Sequence, residues 1–212
     1  KSSINSSFLY CDYKGSRLQI VDTPGYADFF GEVLCGMRGV DSAIIVVDAT
    51  SGVEVGTERA WQLLEENNTP CLIFINKSDK EGVDVSKALA DIKERLSKKV
   101  ALVSSLDDPD LVEAVAESDD KLLEKYLEGA KLSTEELTLG LKQAVAKRKV
   151  FPAIAGSALA DKGIVELLDA VLTYLPNPLE RAPIVAHDPQ NPEAEKEVSF
   201  KEDGPLAAFV FK

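Results

Sequence analysis

Three apolar runs end in polar residues whose types and spacing could do chemistry. The first ends Val21-Asp22-Thr23-Pro24-Gly25. An aspartate leaving a buried strand can hold Mg²⁺ through water, as acidic residues do in phosphate-handling sites. A glycine three residues on lets its backbone N–H approach a terminal phosphate, because no Cβ stands in the way. The same four residues are also good turn chemistry. The second run ends Phe74-Ile75-Asn76-Lys77-Ser78-Asp79. A carboxylate at Asp79 can accept two hydrogen bonds from the N1–H and N2–H₂ edge of a guanine, a pair that adenine does not offer. Asn76 can tie neighbouring loops together, and the apolar stem of Lys77 can lie across a base plane. An Asn/Asp-capped helix start would use the same residue types. The third run ends Ala155-Gly156-Ser157-Ala158-Leu159, where small residues allow backbone N–H groups to reach a base oxygen. Alone that string is weak. Together, in this order and each after an apolar run, the three carry more.

Elements must hold these ends in place. In open α/β sheets, ligands sit at the carboxyl ends of the strands. Residues 5–13 and 17–21 read as strands joined by a Lys14-Gly15-Ser16 turn. Residues 28–39 read as a helix with Phe29, Val33 and Met37 near one face, and 55–67 as another, with Trp61 as packing. The runs 42–48, 70–75 and 151–155 read as strands buried on both faces. Residues 80–149 read as mostly helical and charged, with starts at Asp84, Asp110 and the Ser133-Thr134-Glu135-Glu136 capping box. Residues 162–174 give an amphipathic helix with Ile164, Leu167, Leu168, Val171 and Leu172 on one stripe. Buried strands alternating with helices imply an α/β domain with a mostly parallel sheet.

Composition excludes several classes. The 212 residues carry 24 Lys+Arg against 36 Asp+Glu, a net charge of −12 that argues against autonomous DNA binding through a basic face. With 45% hydrophobic and 28% charged residues, the chain reads as an ordinary globular protein. No apolar run approaches the roughly 20 residues that span a bilayer, and no signal peptide opens the sequence, so no membrane role is expected. Three scattered cysteines fit reduced thiols in a cytoplasmic setting. His187 has no Cys or second His near it, so no metal role is expected for it. The opening Lys1-Ser2-Ser3-Ile4-Asn5 reads as a loop running into a strand, so the sequence is expected to begin inside a longer protein.

The three strand ends, taken together, resemble the translational GTPases, and the elongation factor G family most closely. Asp22-Thr23-Pro24-Gly25, followed by Asp28-Phe29 and Glu32-Val33, is similar to that family's switch II. Val47-Asp48-Ala49 with Gly52-Val53 and Thr57-Glu58 is similar to the next strand and helix, and Asn76-Lys77-Ser78-Asp79 fits the NKxD guanine motif. Gly163, Leu167-Leu168-Asp169 and Tyr174-Leu175-Pro176 resemble the last helix and its exit. The resemblance implies a P-loop GTPase-type sheet flanked by helices, binding GTP and GDP with Mg²⁺. It implies metal roles for Asp22 and for Ser3, which falls at the switch I threonine. It implies a γ-phosphate contact for Gly25, base contacts for Asn76, Lys77 and Asp79, and a pocket completed by Ser157, Ala158 and Leu159. The expected product is GDP and phosphate, formed in a step coupled to the ribosome.

The same resemblance implies a GTP-binding domain over 1–176 with a helical insertion over about 80–149, which in the family is implicated in contacts with the ribosomal stalk. A polar linker follows over 177–204. Residues 205–212 resemble the first strand of a β-barrel second domain. Two departures stand out. No G-x-x-x-x-G-K-[ST] cradle is present, and in the family it precedes the point where this sequence begins. The strand that carries it lies inside the family's sheet, so its absence would leave two buried strands with unpaired edges. Second, Tyr26 stands where most translational GTPases have a water-positioning His, a pattern like that of the elongation-factor-G-like paralogues. A phenol of pKa about 10 can hydrogen-bond a water but carries no positive charge near neutral pH. Slow or differently triggered hydrolysis is therefore expected, with a nucleotide sensor or ribosome-docking module as the alternative.

Overall fold

The computed structural model describes residues 3–103, 105–180, 183–188, 191–201, 203–204 and 206–212. Two strands open the chain, β1 (Ser7–Tyr13) and β2 (Ser16–Asp22), paired antiparallel from Ser7↔Asp22 to Tyr13↔Ser16. A short 3₁₀ turn (Ala27–Phe29) leads into α1 (Phe30–Arg38). Then β3 (Ala43–Asp48), α2 (Val55–Glu66), β4 (Cys71–Asn76), α3 (Val85–Arg95) and β5 (Val100–Leu102) alternate. Three helices follow, α4 (Pro109–Ala116), α5 (Asp120–Leu127) and α6 (Thr134–Ala146), before β6 (Phe151–Ala155) and α7 (Ile164–Tyr174). The main sheet runs β3-β4-β6-β5 with every pair parallel. This is the expected α/β architecture.

Alternation along β4 explains the two halves of the core. Leu72 and Phe74 face one side, where they join Ile154 and the apolar faces of α4, α6 and α7. Ile73 and Ile75 face the other, with Ile45, Val47, Ala153 and residues of α2 and α3. Trp61 of α2 closes that side, its ring edge-on to Phe151 at 4.6 Å. Local chemistry sets the helix starts. Asp84 accepts from the Ser86 N–H, Asp108 and Asp119 cap α4 and α5, and Ser133 and Glu136 form the expected reciprocal box.

Several expectations change. The helix start expected at Asp110 lies two residues earlier, with Asp108 as cap and Pro109 first, a favoured place for proline. The stretch 80–149 contains a strand: β5 pairs with β6 and extends the main sheet. The strand ending at Asp22 is not buried, since among the described residues β2 pairs with β1 alone, in a two-stranded sheet. Nor is β3 buried on both faces. Ile44 is 41% and Val46 58% exposed, because the α6–α7 layer covers β4 and β6 on that side without reaching β3. Among the described residues, one edge each of β2 and β3 carries no partner strand, but neither is the buried strand that was expected there.

The hairpin is fastened at two points. The Tyr13 hydroxyl donates to Asp169 of α7 at 3.0 Å, and the Ser6 N–H and hydroxyl donate to Glu32 of α1 at 2.7 and 2.8 Å. The stretch expected as a linker contains a second hairpin, β7 (Ile184–Asp188) with β8 (Asn191–Val198). Of the strand expected over 205–212, residue 205 lies outside the described residues, and 206–212 form no strand. This segment instead packs by its aromatic rings. Phe211 lies edge-on to Phe8 at 6.0 Å, and Arg38 stands over Phe209.

Candidate functional site

Parallel pairing brings the carboxyl ends of β3, β4 and β6 side by side: Asp48 is register partner of Asn76, and Ile75 of Ala155. Backbone bonds continue past the strands. The Ala49 N–H donates to the Asn76 carbonyl at 2.9 Å, the Ser78 N–H to the Gly156 carbonyl at 3.0 Å, and the Gly156 N–H to Ile75 at 2.9 Å. These bonds place the loop after β4 against the loop after β6.

Asn76 then ties the two loops. Its Oδ1 accepts from its neighbour, the Lys77 N–H, and from the distant Ala158 N–H, both at 2.9 Å. Lys77 itself sits in the left-handed region at φ 63°, which is uncommon for a residue with a Cβ. That turn sends the chain away from β4 and leaves Lys77 and Asp79 exposed. The Asp79 carboxyl is held below its usual range, chiefly by hydrogen bonding from Ser157, a residue only 1% exposed. Burial opposes the shift, while Asp79's own backbone, Lys80 and Lys162 reinforce it. Asp79 is therefore an ionised, acceptor-only group at neutral pH, with its edge open to solvent.

Small residues make this close approach possible. A Cβ on Gly156 would lie 2.4 Å from the Lys162 carbonyl and 2.8 Å from the Phe74 ring. Ser157 and Lys162 exchange two backbone bonds at 2.9 and 3.0 Å, closing the loop before Gly163, whose φ of 74° starts α7. Leu159 is 89% exposed at the loop tip, beside Ala158.

Asn76, Lys77, Asp79, Ser157, Ala158 and Leu159 thus share one end of the sheet. Asp22, Gly25 and Tyr26 stand on a different support, the loop between β2 and α1. Pro24 is buried, and Val21 and Thr23 lie under Gly36 of α1, where a Cβ would come within 3.3 and 3.0 Å of their methyl groups. The Gly25 carbonyl approaches the start of α2, 3.5 Å from where a Cβ on Gly56 would stand. Tyr26 accepts from the Phe29 N–H through its carbonyl at 3.0 Å, while its side chain is 61% exposed. Ser3 is exposed, four residues before Ser7, the register partner of Asp22. Among the described residues, no hydrogen bond or ion pair joins this group to the Asn76–Asp79 group.

Sequence reasoning passed over Asp48 as a site residue. It ends β3 beside Asn76, and its carboxylate bonds the Lys77 ammonium. An acidic residue closing a strand next to the Asn76 strand was the available signal. The family's strand-end pattern places a residue there without giving it a partner.

The model for the elongation factor Tu GTP binding domain matches residues 1–177. The chain belongs to this family. Among solved structures, it is similar to a protein from Thermus thermophilus with a TM-score of 0.76 and 26% identity. That match covers 87% of this chain but 34% of the other, so the chain spans about a third of that protein's length. An elongation factor Tu GTP-binding domain is a guanine-nucleotide-binding, GTPase-type unit of translation factors, and the four-stranded parallel sheet with its polar strand ends belongs to that architecture. Among the described residues, no helix is long and apolar enough to cross a membrane.

Proposed function

We propose that the chain binds GTP and GDP at the ends of β4 and β6, and belongs to an elongation-factor-G-like protein that hydrolyses GTP in a ribosome-coupled step in the cytoplasm. The observation that supports this best is the Asn76 side chain tying the loop after β4, which carries Asp79, to Ala158 in the loop after β6. In this reading the Asp79 carboxylate accepts from guanine N1–H and N2–H₂. The loop over 156–159 closes the pocket and presents its backbone to the base oxygen. The Lys77 stem rests against the base plane.

The phosphate end is sparser. Asp22 offers one exposed carboxylate at the end of β2, and Ser3 one exposed hydroxyl. Magnesium keeps several waters and takes phosphate oxygens when it arrives with a nucleotide, so a site with so few protein donors fits it. The metal would supply charge neutralisation at the phosphates, with Gly25 offering its N–H to the terminal phosphate and Asp22 and Ser3 as the protein's ligands. Ribosomal contacts, including one between residues 80–149 and the stalk, belong to the same proposal.

A second reading is a guanine-nucleotide sensor or docking module with slow turnover, and Tyr26 favours it. Its exposed phenol stands where the family places a histidine, and it can orient a water but not as a cation. Tyr26→His should raise ribosome-stimulated GTP turnover; unchanged turnover would remove Tyr26 from the mechanism.

Competition with fluorescent GDP tests the binding proposal. GDP and GTP should displace it and ATP should not, with binding strengthened by magnesium. Asp79→Asn should shift preference from guanine to xanthine nucleotides, since an amide N–H₂ can donate to the xanthine 2-oxygen. An Asp79→Asn chain with the original preference would overturn the base assignment.

A further inference from the structure

Asp48 holds two neighbours with its two oxygens. Oδ1 accepts from the Thr50 N–H at 2.9 Å and from the Thr50 hydroxyl at 2.6 Å, fixing the loop after β3. Oδ2 accepts from the Lys77 ammonium. Lys77 follows Asn76, the loop staple, and its backbone is already turned into the left-handed region at φ 63°. A four-carbon stem usually samples many rotamers, and a ligand that rests on it must order it. Here both ends of the stem are held, the backbone by the Asn76 turn and the ammonium by Asp48.

We propose that Asp48 is a positioning residue for the nucleotide site: it fixes the course of the Lys77 stem before a base arrives, so that the stem's ordering cost is not met on binding. This rests on the guanine-site reading above. Asp48 does not touch the base in this scheme. It acts through Lys77.

Asp48→Asn isolates the effect. An asparagine Oδ1 still accepts from Thr50, so the loop after β3 keeps its cap while the charge facing Lys77 is removed. Lys77→Met is the second variant. It keeps an apolar stem, removes the ammonium and leaves Asp48 with Thr50. In the 212-residue chain, Asp48→Asn should weaken fluorescent GDP about three- to tenfold, the ordering cost of one long side chain, mainly through faster release. In the Lys77→Met background the same change should have no further effect. A merely structural role would weaken binding equally in both backgrounds, and that result would overturn the proposal.

A nucleotide-free measurement runs beside it. ¹³C relaxation at the Lys77 ε-carbon should report a less ordered side chain in Asp48→Asn than in the original chain. Equal order in the two would also overturn the proposal. Asp79→Asn separates this idea from the reading beneath it. If Asp79→Asn leaves GDP binding and base preference untouched, the guanine site itself fails and the proposal falls with it. If Asp79→Asn behaves as expected but the Asp48–Lys77 cycle is additive, only the proposal fails.

Discussion

Asn76 and Ala158 lie 82 positions apart, yet the Ala158 N–H donates to the Asn76 side-chain oxygen at 2.9 Å. The same oxygen accepts from the Lys77 N–H at 2.9 Å, so one amide carbonyl holds the loops after β4 and β6 together. Asn76→Ala leaves both N–H groups without their acceptor. The expected result is a loss of about 1–2 kcal/mol in chemical denaturation, the cost of removing a shared acceptor. GDP affinity should fall by about five- to thirtyfold, as that free energy is lost at the site. Asn76→Asp keeps an acceptor oxygen and should fold more stably than Asn76→Ala. Equal stability of the two would show that the staple contributes little.

Gly156 is needed for a different reason. A Cβ there would stand 2.4 Å from the Lys162 carbonyl and within 2.8–2.9 Å of the Phe74 ring. The carbonyl already accepts from the Ser157 N–H, and the Phe74 ring is buried, so neither can retreat freely. Gly156→Ala should destabilise the chain by about 1–3 kcal/mol, as overpacked sites do. It should also shift the loop over 156–159 and weaken GDP binding more than it weakens folding. A Gly156→Ala chain with full stability would show that the loop has room to move.

The main sheet was readable because its strands announce themselves. Five consecutive buried apolar residues precede Asn76, and the Ser133–Glu136 box and the Asp84 cap are local signals that no distant contact overrides. What could not be read was decided at a distance. Whether Ile44 and Val46 are covered depends on how far the α6–α7 layer reaches, not on β3's own sequence. The three residues of β5 are too few to show a period, and only pairing with β6 makes them a strand. The mostly polar and charged β8 lacks the apolar alternation by which half-buried strands are recognised, and β7 opens on a run of only three apolar residues. At the site, residue types were legible, and the Asp48–Lys77 pairing was not. It joins the last residue of β3 to a residue in the loop after β4.

Acid should loosen two junctions at once. Glu32 is held at about 2, against an ordinary 4.5, by the Lys212 ammonium and then by the Ser6 N–H and hydroxyl, with burial opposing. Asp48 is also held at about 2, against 3.8: burial pushes it up, and Lys77 and Thr50 more than compensate. Both are depressed carboxylates, so their stabilisation is fully present above the ordinary values and is lost as pH falls toward about 2. Stability should therefore fall between about pH 5 and pH 2, where carboxylates like these take up protons on unfolding. Glu32→Gln should flatten that fall, and thermal melts of the two chains across this range would measure it. An unchanged slope would show that Glu32 titrates alike in folded and unfolded chains.

The cysteines offer a probe of β4 itself. Cys71 is fully buried at the start of β4, and burial pushes its thiol up to about 11, although Arg148, with a nitrogen 3.9 Å from the sulfur, pulls the other way. Cys11 on β1 and Cys35 on α1 are only partly buried. A thiol reagent at neutral pH should modify Cys11 and Cys35 readily and reach Cys71 only when the sheet opens, since the thiolate is the reactive form. A ligand that binds the folded chain and not the opened one lowers the opened fraction by its own mass action, about 100-fold at 100 times its dissociation constant. GDP should therefore slow Cys71 labelling by that factor and leave the Cys11 rate nearly unchanged. Slowing at Cys11 alone would place the nucleotide on the hairpin rather than at the ends of β4 and β6. Slowing at none of the three would mean that GDP does not stabilise the folded chain.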